Sequence, residues 1–368
     1  MPEVRIHDGV RAIPATLWDR CLPDFLERHD SLAAIEAAGL EGFAFHALTV
    51  WRTGTLIACA PAFVTRYDIA TTLGADGRRL VAGLRRVLPR LISPRLACLG
   101  SPCTEVAPIG FAPDLDDAER REAGQALLIG LSDLAERENV DLLATKDVIS
   151  ADAALLGDAL ERLGYEHVAG LPVASLDIRF SGIDEYLASL SAGTRRDMKR
   201  KLRSAAAVQV ERTRDPGAEM DRIMALYTQT RDRAEMAFET LNPAYFRNVL
   251  ACDGASLTLY RHEGLLIAAN LLVETGETLL DKFFCMDAEA GRPLNLYFLS
   301  WFENLRHCLD RGLTRYQAGQ AAYANKLRLG CTLQSTHMYF RHRNPIFNRL
   351  LAFALPRLVA DMPVSKAA

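Results

Sequence analysis

The sequence predicts a mixed α/β fold (mixed α+β), with two halves in tandem and each half a twisted mixed sheet flanked by helices. Three observations predict it. The chain has 368 residues, too many for one ordinary core. Hydrophobic residues make up 49% and charged residues 24%, the balance of a soluble globular protein. The helix and strand patterns of the first half recur in the second, as an order of elements rather than as sequence identity.

In the first half, helical patterns at Pro14–Cys21 and Asp24–Gly39 precede two strand-like runs, Phe43–Trp51 and Thr55–Tyr67. Arg52–Gly54 is short and turn-forming, so these runs read as a hairpin. A basic helix, Arg78–Leu88, precedes a strand at Arg95–Leu99 and a loop rich in Pro, Gly and Asp at Gly100–Asp117. A long amphipathic helix (Ala118–Asn139), a strand (Val140–Lys146), a helix (Ala151–Leu163) and strands at Tyr165–Val168 and Val173–Phe180 follow.

The second half opens with basic helical material at Ile183–Ala207 and a strand at Val208–Thr213. Helices at Ala218–Glu235 and Pro243–Ala251 lead to a hairpin, Ser256–Arg261 with Leu265–Glu274. A strand (Glu277–Asp287), a Gly/Pro turn (Ala288–Pro293), a helix (Leu294–Arg311) stopped by Gly312, and a strand (Leu313–Gly319) come next. A last strand, Thr332–His342, precedes a helix at Pro345–Ala360. The boundary is expected near Phe180–Gly182, giving domains 1–180 and 181–368.

Composition narrows the function. A formal net charge of −3 argues against a general nucleic-acid coat and against DNA as a partner, although a local basic patch is compatible with it. The start, MPEVRIHDGVRAIP, has no apolar leader core, and no apolar run reaches membrane-spanning length. Eight cysteines are scattered without a Cys-x-x-Cys pair, so a reduced cytoplasmic chain without structural zinc is expected. The histidines also lack metal spacing; His337 and His342 fall on opposite faces of one strand. No metal is expected.

Two segments point to anion binding. In Thr194–Arg203 (TRRDMKRKLR), Arg196, Lys199, Arg200 and Arg203 share a helical face, and such a stripe suits phosphate groups or else is a solvated face. At 277–330 a strand runs through a Gly turn into a helix. The unpaired amides and dipole of the first turn favour a phosphate, so Gly291, Arg292 and Asn295 are donor-binding candidates; the bland reading is a plain strand-to-helix turn. Arg341, Arg343, Arg349 and Arg357 punctuate the apolar C-terminal helix, which suits peripheral membrane contact or snorkelling on a docked helix.

The order in each half resembles the GNAT (Gcn-related N-acetyltransferase) fold. Two such halves in tandem resemble the Fem-type and BioF-like acyltransferases of the peptidoglycan-related branch. The local match runs from Tyr186 to Gly330: a basic helix of the type Leu190–Ala205, then a strand closing on Gly319 and Lys326-x-x-x-Gly330. One feature departs from the family. The Q/R-x-x-G-x-G/A pyrophosphate loop is replaced by Glu289-Ala290-Gly291-Arg292-Pro293-Leu294, which leaves acyl-CoA, an acyl carrier protein or aminoacyl-tRNA open as donors.

The resemblance implies that strands 277–287 and 313–319 splay apart around the donor thioester. Freed amides at Phe284, Cys285 and Met286 would then hold its carbonyl oxygen. Asp281 is the candidate base for the attacking amine, and Tyr323 the proton donor to the leaving group. Gln320 and Lys326 are candidate anion contacts, because an unperturbed Lys is charged near neutrality and cannot serve as a base. Cys285 as a covalent nucleophile is disfavoured, since no basic neighbour lowers its pKa.

The expectation is a cytoplasmic N-acyltransferase that moves an acyl or aminoacyl group from a co-substrate to an amine by direct attack, with no tightly bound cofactor. The acceptor would be a small-molecule or lipid-linked amine. The second half carries the donor site; the first shapes the acceptor side. The alternative is a non-catalytic protein of the same fold that grips an anionic ligand or partner.

Overall fold

The computed structural model describes residues 2–23, 25–66, 94–234, 238–350 and 352. The chain divides into two units: 1–172 with 238–240 and the segment from 335 onward, and 173–237 with 241–334.

The first unit contains β1 (Glu3–His7), α1 (Ala15–Arg20), α2 (His29–Ala37), β2 (Phe43–Arg52), β3 (Thr55–Arg66) and β4 (Arg95–Leu99). These are followed by β5 (Gly110–Phe111), α3 (Asp117–Arg137), β6 (Leu142–Ile149), α4 (Ser150–Arg162) and β7 (Glu166–Ala169). The second unit contains β8 (Val173–Asp177), α5 (Ile183–Ser189), α6 (Ala192–Lys201), β9 (Gln209–Thr213), α7 (Met220–Asp232), α8 (Pro243–Ala251), β10 (Ala255–His262) and β11 (Leu265–Thr275). It continues through β12 (Thr278–Met286), α9 (Ala288–Gly291), α10 (Leu296–Arg311), β13 (Arg315–Gly319), α11 (Tyr323–Arg328) and β14 (Thr332–Gln334). The last strand is β15 (Thr336–His342).

The two sheets have the same topology. One runs β1-β2-β3-β4-β6-β15-β7, with β5 paired to β3; the other, read from its far edge, runs β9-β10-β11-β12-β13-β8-β14. In each, three antiparallel neighbours lead to a parallel pair, β4 with β6 and β12 with β13. The next position is filled by an exchanged strand. β8, from the end of the first half, pairs with β13, while β15, from the end of the chain, pairs with β6 and β7.

The expected single strand at 332–342 is therefore two strands in two sheets, broken at Ser335. Likewise, β8 leaves its own half for the second sheet, so the observed division falls at 172/173 and 334/335, where the sequence suggested 180/181. The expected basic helix Arg78–Leu88 lies outside the described residues, as does the C-terminal helix beyond residue 350 apart from 352.

Local chemistry explains the elements that position the site. α3 starts in a capping box: Asp116 accepts from the Glu119 amide while the Glu119 carboxylate accepts from Asp116 N–H. Its Leu127, Leu128, Leu131 and Leu134 pack in one core with Leu48, Val50 and Ile57 of β2 and β3. In the second unit, Trp301, Phe302, Leu305 and Cys308 of α10 pack on Leu272, Leu279 and Tyr316 of the sheet. Gly312 ends α10 at φ +66°, the left-handed conformation that glycine adopts without a Cβ penalty.

Candidate functional site

The parallel pairing of β12 with β13 runs from Thr278/Arg315 to Leu280/Gln317 and then stops, while β12 continues to Met286 along β11. The two strands therefore part immediately before Asp281. At the same point β12 bulges: Leu271 pairs with Phe283 and Leu272 with Asp281, which leaves Lys282 as the extra residue. Beyond the bulge, Asp287 N–H bonds Ile267 O, whereas Met286 N–H points the other way, to Thr230 Oγ1 at 3.1 Å. Strand alternation then puts the Phe284 amide on the opened edge and the Cys285 amide on the β11 side. Of the three expected oxyanion donors, Phe284 fits. Met286 N–H is occupied by Thr230, and Cys285 N–H faces into the ladder.

The Cys285 side chain lies on the sheet face opposite Asp281. It is buried, its Sγ contacts Ala269 O at 3.4 Å, and burial pushes its pKa up to about 12. A thiol held protonated is no nucleophile. Cys285→Ala is expected to retain wild-type turnover; loss of activity together with an acyl adduct on the wild-type protein would establish a covalent route instead.

Asp281 sits at the divergence, partly buried beneath α10. Tyr316 Oη donates to its Oδ2 at 2.6 Å and Asn304 Nδ2 at 3.3 Å, and Asn304 Nδ2 also donates to Tyr316 Oη at 3.0 Å. Burial raises the Asp281 pKa above the ordinary carboxylate value, only partly offset by the Tyr316 hydrogen bond and the nearby Lys326 charge.

Around it the sheet face carries a polar layer. Cross-strand pairing sets Arg212, Thr258, Asn270 and Phe284 in one row across β9, β10, β11 and β12. Among the described residues, Thr258 Oγ1, Tyr260 Oη, Tyr297 Oη and Asn304 Oδ1 are buried without a hydrogen-bond partner. Buried polar groups left unpaired cost about 1–3 kcal/mol each, so this layer carries a stability cost.

The helix start differs from expectation. α9 is a single turn, and Asp287 caps it by accepting from Glu289 and Ala290 N–H at 3.0 and 3.1 Å, so those amides are taken. Gly291 ends that turn and donates to Asp287 O; a Cβ there would stand 3.0 Å from Leu296 Cδ1. The long helix begins at Leu296, two residues later than predicted. Asn295 precedes it at φ +54° with no side-chain cap, which leaves the Leu296 and Tyr297 amides as the open end of α10. Arg292 is exposed beside it.

The basic helix α6 is partly neutralised. Asp197 accepts from Arg200 at 2.6 Å, Lys201 at 3.1 Å and Arg328 at 2.7 Å. Burial opposes its charge, yet these bonds hold the carboxyl well below the usual range. Arg200 is thus an ion-pair partner, contrary to the expected uncompensated stripe. Arg196, Lys199 and Arg203 remain exposed.

Lys326, the expected anion contact, is buried and donates to Ala318 O, which makes it an interior charge near Asp281. Tyr323 is buried at the start of α11, and half-buried Gln320 follows Gly319 at the end of β13.

In the first unit the corresponding strands β4 and β6 pair as far as Leu99/Thr145. Past that point Lys146 reaches across to Ser101 O and Thr104 O, both at 3.0 Å, and pairs with Asp147. The equivalent gap is filled by the protein itself, and the following helix, α3, is fully capped.

Comparison with known proteins agrees with this architecture. Residues 192–327 match the model of an acetyltransferase (GNAT) domain. A Mycobacterium tuberculosis protein provisionally named 8-amino-7-oxononanoate synthase 2 is 27% identical over 344 residues, covering 88% of this chain but 43% of that protein. The chain thus spans less than half the length of the curated relative it matches. Among solved structures, FemX aligns with a TM-score of 0.62 at 15% identity, covering 92% of this chain and 98% of FemX. The tandem GNAT protein from the clavulanic acid biosynthesis pathway aligns with a TM-score of 0.53 at 13% identity, covering 93% and 99%. No described helix is long and apolar enough to cross a membrane. The chain thus carries a match to a GNAT acetyltransferase domain over residues 192–327 and has the fold shared by FemX and the tandem GNAT protein.

Proposed function

We propose that the protein is an N-acyltransferase whose reaction centre is the opening between β12 and β13. The observation that carries this reading is the end of β12–β13 pairing at Leu280/Gln317, with Asp281 at the point of divergence. A thioester or ester carbonyl inserted there meets the Phe284 amide, which would hold the oxyanion. Asp281, ionised, takes the proton released as the amine attacks; its raised pKa makes it a better base than an exposed carboxylate. The buried Lys326 charge lies close enough to favour the ionised form, and Tyr323 is the proposed proton donor to the leaving group.

The donor is an acyl-CoA, an acyl carrier protein or an aminoacyl-tRNA, with its phosphates at the open end of α10 near Arg292 and along Arg196 and Lys199 of α6. The first unit, with Lys146 in its gap, serves the acceptor side, and the acceptor is a small or lipid-linked amine. Changing Arg196 and Lys199 together to Ala is expected to raise KM for a phosphate-bearing donor several-fold and to flatten its salt dependence, with the fold intact. Kinetics unchanged across a salt series would reduce the stripe to a solvated surface.

One observation favours the rival reading of a non-catalytic binding protein: Asp287 occupies the amides where a pyrophosphate loop would bind. Amide formation from acyl-CoA, acyl carrier and aminoacyl-tRNA donors, measured with a panel of amines, separates the two, since a binding protein forms none.

A further inference from the structure

The first unit holds a constellation that the proposed acyl transfer does not use. Ser150, the first residue of α4, places its Oγ 3.1 Å from His337 Nε2, and His337 Nδ1 lies 2.9 Å from His167 Nε2. We propose that Ser150, His337 and His167 form a second acyl-transfer centre, a nucleophile–base–orienter relay that hydrolyses small carboxylic esters.

The backbone builds it from three separate elements. β15 lies between β6 and β7, so His337 stands opposite Val148 on one side and Ala169 on the other. That register brings the end of β6, where Ser150 opens α4, to one edge of the imidazole and His167 to the other. Tyr339, two residues along the same face of β15 and directly opposite His167, contacts that ring at 5.2 Å between centroids with a 52° tilt. The whole group is solvent-accessible, with Ser150 and His167 exposed.

Two opposite tautomer assignments satisfy this hydrogen-bond chain, and the relay uses one of them. Ser150 Oγ–H donates to His337 Nε2, His337 Nδ1–H donates to His167 Nε2, and His167 carries its proton on Nδ1. A base bonded to a hydroxyl and oriented by a third group is the wiring that activates serine nucleophiles on unrelated folds. Partial burial, with the neighbouring His337, lowers the His167 pKa, which favours the neutral imidazole that the relay needs. The start of α4 has no side-chain cap, so the first-turn amides beside Ser150 are open to a developing oxyanion.

The step balances without a co-reactant other than water. Ser150 Oγ attacks the ester carbonyl as its proton passes to His337 Nε2. The carbonyl C–O bond to the alcohol breaks, and the alcohol leaves with that proton. Water then attacks the acyl-serine, giving a proton to Nε2; Ser150 Oγ departs and regains it, and the carboxylic acid is released.

The test uses the full chain with two probes, a fluorophosphonate and p-nitrophenyl acetate. The expected result is one phosphonyl adduct on the peptide bearing Ser150. Ester hydrolysis should fall to the uncatalysed background in Ser150→Ala and by about 10²-fold or more in His337→Gln. Ser150 is exposed at a helix start, so Ser150→Ala is expected to fold normally, as circular dichroism would show. If Ser150→Ala hydrolyses the ester as fast as the parent chain, or if the fluorophosphonate leaves Ser150 unlabelled, the trio is a surface hydrogen-bond network and the proposal fails.

Discussion

A chain shortened to end at Gln334 is expected to lose the fold of its first unit while keeping that of its second. β15 lies between β6 and β7, so its removal strips ladder bonds from both neighbours and leaves β7 unattached. It also removes Phe340, which packs in a cluster with Phe63, Leu96, Leu142, Ala144 and Val168. β8 and β14 stay in place, so the second sheet remains complete. Hydrogen exchange reads this directly: amides of 142–149 and 166–169 should exchange at near-unfolded rates, whereas those of 255–286 stay protected. Phe340→Ala is the graded version, with an expected loss of about 3–5 kcal/mol in the stability of the first unit. Protection unchanged by the truncation would mean that the exchanged strand contributes little to the sheet.

Asp281→Asn carries the second large effect. Removing a general base typically costs 10²–10⁴-fold, and a loss on the order of 10²-fold in kcat/KM is expected, with KM for the donor little changed. The amide is nearly isosteric and can still accept from Tyr316, so the loss reports proton transfer rather than collapse of the site. The pH dependence has a definite sign. The folded-state pKa of Asp281 is raised, so activity that needs the carboxylate grows as pH rises through that elevated value, and the Asn variant should lack this limb. Stability moves the other way. Above the ordinary carboxylate pKa the folded chain holds this proton more tightly than the unfolded chain does. Stability therefore falls as pH rises from the ordinary value to the raised one, and Asp281→Asn removes that fall. Full activity in Asp281→Asn would transfer the proton step to Tyr323, water or the substrate amine.

What the sequence showed was what depends on neighbours in the chain. The hairpins at 43–66 and 255–275, the strand Arg95–Leu99 and the helix Pro243–Ala251 follow from local alternation, turn residues and a Pro at the first helical turn, and all are present. Asp281 could be singled out because it is the acid in an apolar strand. The misses are contacts made at a distance. The exchange of β8 and β15 could not be read from periodicity, because a strand pattern does not say which sheet it joins. Asp197 pairs locally with Arg200 at i,i+3 spacing, but its bond to Arg328 spans 131 residues. The charge of Lys326 is legible in the sequence, whereas its burial against Ala318 O is set by the turn after Gly319. His337 was compared with His342 along its own strand, whereas its partner, His167, is 170 residues away on β7. The Asp287 cap had a local signal, as did the i,i+3 pair of Asp197 with Arg200: an Asp two and three residues before Glu289 and Ala290 amides at a helix start is a common N-cap.

The account stands on chemistry at the opening between β12 and β13, and amine-dependent release of the donor's carrier, thiol or tRNA, measures that chemistry. With wild-type protein and a panel of acyl-CoA, acyl carrier and aminoacyl-tRNA donors, at least one donor–amine pair should release the carrier in step with amide product, and Asp281→Asn should slow that pair by on the order of 10²-fold. Carrier release that proceeds equally in Asp281→Asn, or that occurs without amide formation, would contradict direct amine attack at this site.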